Sequence, residues 1–199
     1  AERRGLGRIV MVRPRHRLSI ASMLHDVGKI GIPDSILKKP GALEPDEYKM
    51  VQRHTLIGAF LCQATEVQTE FDEVSHVVAL HHHERWDGSG YPGEVTEELW
   101  RNRTSEIPEQ PGLSGEDIPI EARIVALADV FDALSSSRSY KNAWPEERVL
   151  AEIQDLSGKH FDPELLKILE NLLEVNPYYR RPISELIKSP LFDKIRVPS

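Results

Sequence analysis

Cysteine is almost missing from this 199-residue chain: Cys62 stands alone. No disulfide can form within it, and a lone thiol in the apolar stretch LIGAFLCQA reads as packing in a protein of the reducing cytoplasm. Long apolar runs are missing too. None approaches the ~20 residues that span a bilayer, and no signal peptide is visible. Positive charge is in short supply, with a net charge of -7. That excludes a nonspecific nucleic-acid or DNA binder, while a small basic pocket for a phosphorylated ligand stays open. Alternating strand patterns and internal repeats are absent. The chain opens on Ala1 rather than Met, which suits a fragment of something longer, with a sensor domain expected upstream.

What is present is helical patterning. The 40% hydrophobic and 29% charged residues suit a globular domain. A chain of this length buries roughly 70% of its unfolded surface, so it needs no metal merely to fold. Apolar spacing predicts a helix over 17–29, RLSIASMLHDVGK, halted by Gly31 and Pro33. A turn follows over 33–41. A second helix is expected over 45–63, with Asp46 and Glu47 favouring its dipole, and a third over 70–84. The polar, acidic stretch 94–118 holds Pro108, Pro111, Gly112 and Gly115 and reads as a long loop with one short helix. Helices follow over 119–136 and 145–156. Asp162-Pro163 then starts one to about 174, with Asp as N-cap and Pro in the first position. A last short helix is expected over 183–189. The fold class is all-α.

Helix faces carry the chemistry. On 119–136, Ala122, Val125, Ala126, Asp129, Asp132, Ala133 and Ser136 share one face. Two carboxylates interrupt an apolar stripe that looks inward. A buried carboxylate is costly unless it is paired or bound to a cation, so a salt bridge, a cap and a metal all remain readings of Asp129. His25 and Asp26 are adjacent, and Lys29 follows within one turn. His54 shares a face with Met50, Val51, Gly58 and Leu61, where a lone histidine is more often a hydrogen-bonded core residue than a ligand. His82 and His83 close the third helix. Four helices thus aim His or Asp at the interior.

Imidazole and carboxylate ligands without thiolates suit iron, manganese or zinc, and suit bridged sites of more than one ion. Two ions roughly 3.5–4 Å apart can clamp a phosphodiester for in-line attack. Lys29, Arg138 and Lys141 are candidates for phosphate contact. The alternative for Arg138 and Lys141 is a solvated helix end. In HHHERWDGSGYPG, residues 81–93, Gly88 and Gly90 permit a tight backbone and Pro92 stiffens it.

LHDVGKIGIPDSIL, then His54, then HHERWDGSGYP from His82 to Pro92, then ALADVFDALSSSRSYKNA and GKHFDPEL together resemble the HD-GYP family. These are bacterial phosphodiesterases of the HD superfamily that degrade cyclic di-GMP. The match runs over about 17–172. It implies an HD-superfamily helical bundle over 17–175, with an N-terminal remnant at 1–16 and a C-terminal helical extension at 176–199. By resemblance, His25, Asp26, His54, His82, His83 and Asp129 are metal ligands, with Asp26 the bridge. Lys29, Asp132, Arg138 and Lys141 match positions that hold substrate phosphates or the attacking water. Gly90, Tyr91 and Pro92 match a partner-contact surface, diguanylate cyclase domains included. The implied cofactors are two or three divalent ions, iron or manganese first, with zinc, nickel and magnesium compatible. The implied reaction converts cyclic di-GMP to pGpG and onward to GMP in the cytoplasm. A homodimer is compatible with this reading. His81, His76, His16 and His160 fall outside the ligand set.

Three departures from the family stand out. An upstream helix that supplies a further histidine and, in some members, a glutamate has no match in AERRGLGRIVMVRPRH, where only Glu2 and His16 are of the right type. One ion is then short of ligands, which leaves open a non-hydrolytic module that binds a cyclic dinucleotide or a partner, or an HD phosphohydrolase with another nucleotide substrate. The 94–118 connection is longer than usual and holds Trp100; it reads as a tolerated insertion, a lid or a partner surface. The tail LLEVNPYYRRPISELIKSPLFDKIR faintly resembles the last helices of a protein-kinase lobe. With no glycine-rich ATP loop, catalytic loop or Asp-Phe-Gly, kinase activity is excluded.

Overall fold

The computed structural model describes residues 14–63, 70–102, 106–136 and 144–175. Among the described residues there is no β-strand; the only bridge pairs Ser157 with Phe161. The helices are α1 (Pro14–Leu24), α2 (Asp34–Leu37), α3 (Pro45–Gln52), α4 (His54–Cys62), α5 (Glu70–His81), α6 (Glu97–Asn102), α7 (Ile120–Ser135), α8 (Glu146–Asp155) and α9 (Pro163–Val175). None is long and apolar enough to cross a membrane. The expected helix at 183–189 lies outside the described residues.

Three apolar clusters hold the bundle. Ala21 of α1, Val78 of α5 and Val125 of α7 meet in the first, with Leu18 and Val74 against them. Leu56, Ala59 and Leu80 form the second, between α4 and α5. Val95, Trp100 and Ile107 of the long connection pack on it. The third joins Leu127 of α7, Val149 and Ile153 of α8, Phe161, and Leu166 of α9. Val149 and Ile153 are four apart, so one face of α8 is buried as helical period requires.

Two expected helices are shorter than their apolar pattern. The first stops at Leu24, and a 3₁₀ turn runs over Val27–Gly31. Its cause is a close crossing of backbones: a Cβ on Gly28 would collide with the His54 carbonyl and the Gly58 amide of α4. Only glycine lets the turn lie on α4. The second is divided at Arg53. His54 Nδ1 donates to the Val51 carbonyl at 2.6 Å, and Thr55 Oγ1 donates to the Gln52 carbonyl at 3.0 Å. Side chains thereby compete for carbonyls that a continuous helix would use, and the chain bends there.

The 94–118 connection contains α6 and a 3₁₀ turn at Gly115–Asp117. It is anchored rather than free. The Trp100 ring lies 4.5 Å from Phe60, centroid to centroid, and its Nε1 donates to Gln63 Oε1 at 3.0 Å. Asp162 caps α9 as expected, its Oδ1 accepting the Glu164 amide at 2.8 Å.

Candidate metal centre

Asp26 and five of the expected residues around it come from four places in the chain. His25 and Asp26 sit in the turn after α1, His54 opens α4, His82 and His83 follow the last residue of α5, and Asp129 lies on α7. His25 and Asp26 leave the expected first helix and His82 and His83 lie just past α5, while His54 and Asp129 sit within helices; the imidazoles cluster where α1, α4 and α5 converge. Helix ends suit this chemistry because their free carbonyls can hold an imidazole ring.

Those carbonyls set the tautomers. His25 Nδ1 lies 2.6 Å from the Ser22 carbonyl, His54 Nδ1 2.6 Å from that of Val51, and His82 Nδ1 3.0 and 3.1 Å from those of Val78 and Ala79. A carbonyl only accepts, so each Nδ1 carries a proton, and in the neutral ring Nε2 keeps its lone pair. The lone pairs point at one another. His54 Nε2 and His82 Nε2 are 3.3 Å apart. Asp26 Oδ1 is 3.4 Å from the first and 3.8 Å from the second. It is buried and no donor reaches it.

An anionic oxygen facing two lone pairs, with no proton between them, fits a cation better than any protein group. One atom each from Asp26, His54, His82 and His83 lies within 4.8 Å of the others. His25 adjoins this set: its Nε2 is 3.3 Å from Asp26 Oδ2 and 3.8 Å from Asp129 Oδ1. The residues present fit a divalent ion, and the two Asp26 oxygens face different imidazoles.

Electrostatics favour the ligand state of His54, His83 and Asp26 at neutral pH. Burial drives His54 down to about 4. Burial, reinforced by His82 and His54, drives His83 down to about 2. Both are neutral and able to bind metal. Burial would raise Asp26, but His25, His82 and Lys29 overturn it and hold the carboxyl far below the usual carboxylate range. Burial likewise pulls His25 down, and Asp26, the Ser22 carbonyl and Asp129 outweigh it, leaving its pKa raised.

Lys29 Nζ donates to Asp26 Oδ2 at 2.5 Å and is partly exposed. Asp129 is 41% exposed, so the α7 stripe is buried only at Ala122, Val125 and Ala126 and is partly exposed from Asp129 onward. Asp132 accepts the Ser136 hydroxyl at 3.1 Å and no described contact joins it to the histidines. Arg138, Lys141 and Glu2 lie outside the described residues, as does the side chain of His16. His76 is held by the Ala59 carbonyl at 3.2 Å and His160 stacks on Phe161, both away from the cluster.

The loop after the histidines is more built-in than its glycines suggest. Glu84, a plain acid by sequence, is buried. Its Oε1 accepts the Gly93 amide at 2.7 Å and its Oε2 the Leu113 amide at 2.9 Å. It ties both ends of the long connection to the ligand-bearing segment. His81 Nδ1 lies 3.5 Å from Glu84 Oε1. Pro92 is fully buried, and the Tyr91 ring stacks on His83. The one signal for Glu84 was its place between ligands and turn.

Comparison with known proteins adds independent findings. The HD domain family profile matches residues 4–134, and a second HD domain profile matches residues 107–165. The match reaches back to residue 4, ahead of the expected start at 17. The chain is 46% identical over 152 residues to the cyclic di-GMP phosphodiesterase response regulator RpfG of Xanthomonas campestris, covering 76% of this chain and 35% of that protein. It is 44% identical over 149 residues to 3'3'-cGAMP-specific phosphodiesterase 2 of Vibrio cholerae, covering 75% and 25%. It is 40% identical over 182 residues to a cyclic di-GMP phosphodiesterase of Thermotoga maritima, covering 91% and 43%. The chain spans less than half the length of each of these relatives.

Proposed function

This chain belongs to the HD domain family, in its HD-GYP branch, and on that premise we propose that it is a metal-dependent phosphodiesterase of cyclic dinucleotides. Cyclic di-GMP is the first substrate to expect, opened to linear pGpG and then cleaved to GMP; 3'3'-cGAMP is the second, since relatives of both names match the chain. The single observation that carries the reading is Asp26 Oδ1, buried and without a donor, facing the Nε2 lone pairs of His54 and His82.

His25, Asp26, His54, His82, His83 and Asp129 would hold two, or at most three, divalent ions. The donor set favours iron or manganese and admits zinc, nickel or magnesium. Such ions supply Lewis acidity toward a phosphodiester and a nucleophile at neutral pH. The chain's own groups do the rest. Main-chain carbonyls hold the Nδ1 proton of His25, His54 and His82, so a neutral ring turns its Nε2 lone pair to the site. Burial of His54 and His82 excludes water from the back of the site. Lys29, partly exposed beside Asp26, presents positive charge to the phosphoryl oxygens, with Arg138 and Lys141 assigned the same task. Asp132, on the α7 face that carries Asp129, is assigned to the attacking water. Docking of a diguanylate cyclase domain on the glycine-rich loop would use Asp87 and Ser89, which are exposed, because Pro92 is not accessible.

The test is elemental analysis of protein purified without chelator, then anaerobic incubation with Fe(II) or Mn(II) and each cyclic dinucleotide, with products resolved by chromatography. Bound metal with linear product is the expected result. Bound nucleotide without turnover would replace the enzyme with a binding module. Protein that takes up no metal would refute the centre itself.

A further inference from the structure

Three of the four central histidines are steered by main-chain carbonyls on Nδ1. His83 is the exception: no hydrogen bond reaches its ring among the described residues. Its neighbours are rings. His82 lies at 4.1 Å and 44°, His54 at 5.0 Å and 84°, and Tyr91 at 4.9 Å and 22°. Tyr91 alone lies near-parallel, and it is the only one of the three that is not itself a candidate ligand.

The loop is built to place that ring. The Tyr91 amide donates to the His83 carbonyl at 3.3 Å, so the two stacked residues are also joined through their backbones. The return is tight enough to need Gly90: a Cβ there would stand 2.6 Å from the His83 carbonyl oxygen and would collide with the Arg85 amide. Glu84 clamps the next turn by accepting the Gly93 amide at 2.7 Å. On the far side the Tyr48 ring meets Tyr91 edge-on at 6.4 Å and 82°, which limits its swing.

We propose that Tyr91 is a positioning residue for His83, its ring fixing by stacking the imidazole that no carbonyl orients. The Gly-Tyr-Pro segment is then part of the metal centre's supporting shell as well as a rim. An offset aromatic stack holds the ring plane but leaves the ring free to choose its tautomer, unlike the other three. The inference rests on the metal-centre reading above.

Mn(II) binding, measured calorimetrically on the metal-stripped full chain, tests it without turnover. Tyr91→Phe keeps the stack and should bind as the wild type does. Tyr91→Leu should weaken binding about 10-fold, the scale of supporting-shell losses, and should alter the Co(II) visible spectrum. In a His83→Asn background, Tyr91→Leu should cost nothing further. Wild-type affinity in Tyr91→Leu would overturn the inference and leave the centre standing. An equal loss with and without His83 would overturn it too, since Tyr91 would then act on the fold generally. Wild-type affinity in His83→Asn would overturn both this inference and the ligand assignment.

Discussion

Two aspartates, Asp162 buried and Asp26 with one buried oxygen, are handled in opposite ways. Asp162, in the α7–α8–α9 half, has both oxygens satisfied: the Glu164 amide donates to Oδ1 and Arg123 donates to Oδ2 at 2.7 Å. Arg123 lies in turn over the Trp86 ring at 5.7 Å. Asp26, among α1, α4 and α5, has Oδ2 engaged by Lys29 and Oδ1 facing lone pairs without a donor. A paired buried charge serves the fold, and an unpaired one is a cost that a bound cation removes. The comparison separates a structural carboxylate from a functional one by its missing donor.

The largest effect that tests this contrast is on activity. Asp26→Asn should lower turnover by more than ~100-fold, since a ligand should matter more than its supporting shell, as measured by product formation at saturating Mn(II). In the wild type, Mn(II) at 100 times its dissociation constant should raise unfolding stability by about 2.7 kcal/mol. That gain should vanish in Asp26→Asn. Asp162→Ala should do the reverse. It strands Arg123 and uncaps α9, and should cost about 3–5 kcal/mol of stability in urea titration, while the Mn(II) gain persists. If Asp162→Ala abolished the metal gain in protein that is still folded, the two halves would not be separable as argued.

The smallest effect is on pH. His54 and His83 in the centre are pushed down to about 4 and about 2, and His160 in the other half to about 4, each by burial first. A histidine whose folded pKa lies below its unfolded value adds stability that is present above pH ~6.5 and lost as pH falls toward the folded value. His25, raised, works the other way: its contribution is present below pH ~6.5 and lost as pH climbs through its folded pKa. Metal-stripped protein should therefore weaken between pH 7.5 and 5.5, by about 1 kcal/mol for each depressed histidine. His160→Asn should reduce that slope without touching Mn(II) affinity. A slope unchanged in His160→Asn would remove that residue from the account.

Much of the site was legible because its residue types are unusual for their pattern. His54 on an apolar helix, the His82-His83 pair before a glycine turn, and Asp129 in an alanine-rich stripe each conflict with burial, and the family resemblance made six residues candidate ligands. The helix ends were less legible. Apolar period continued through His25 and Arg53, yet the chain leaves the helix after Leu24 and divides at Arg53. Periodicity registers which side chains face inward, and it says nothing of a neighbouring backbone, such as α4 crossing at Gly28. Trp100, counted within a loop, became an anchor because its partners Phe60 and Gln63 are about forty residues away in sequence.

By itself, the order of residues determined the all-α class and the set of imidazoles and carboxylates able to take a cation. These follow from local composition and spacing. Only the tertiary structure decided which nitrogen His25, His54 and His82 turn to the site, which oxygen of Asp26 lacks a donor, and that Glu84 and Tyr91 brace the centre. Those depend on carbonyls, amides and rings brought together by packing, and a hydrogen bond or a stack between distant segments leaves no periodic trace in the chain that makes it.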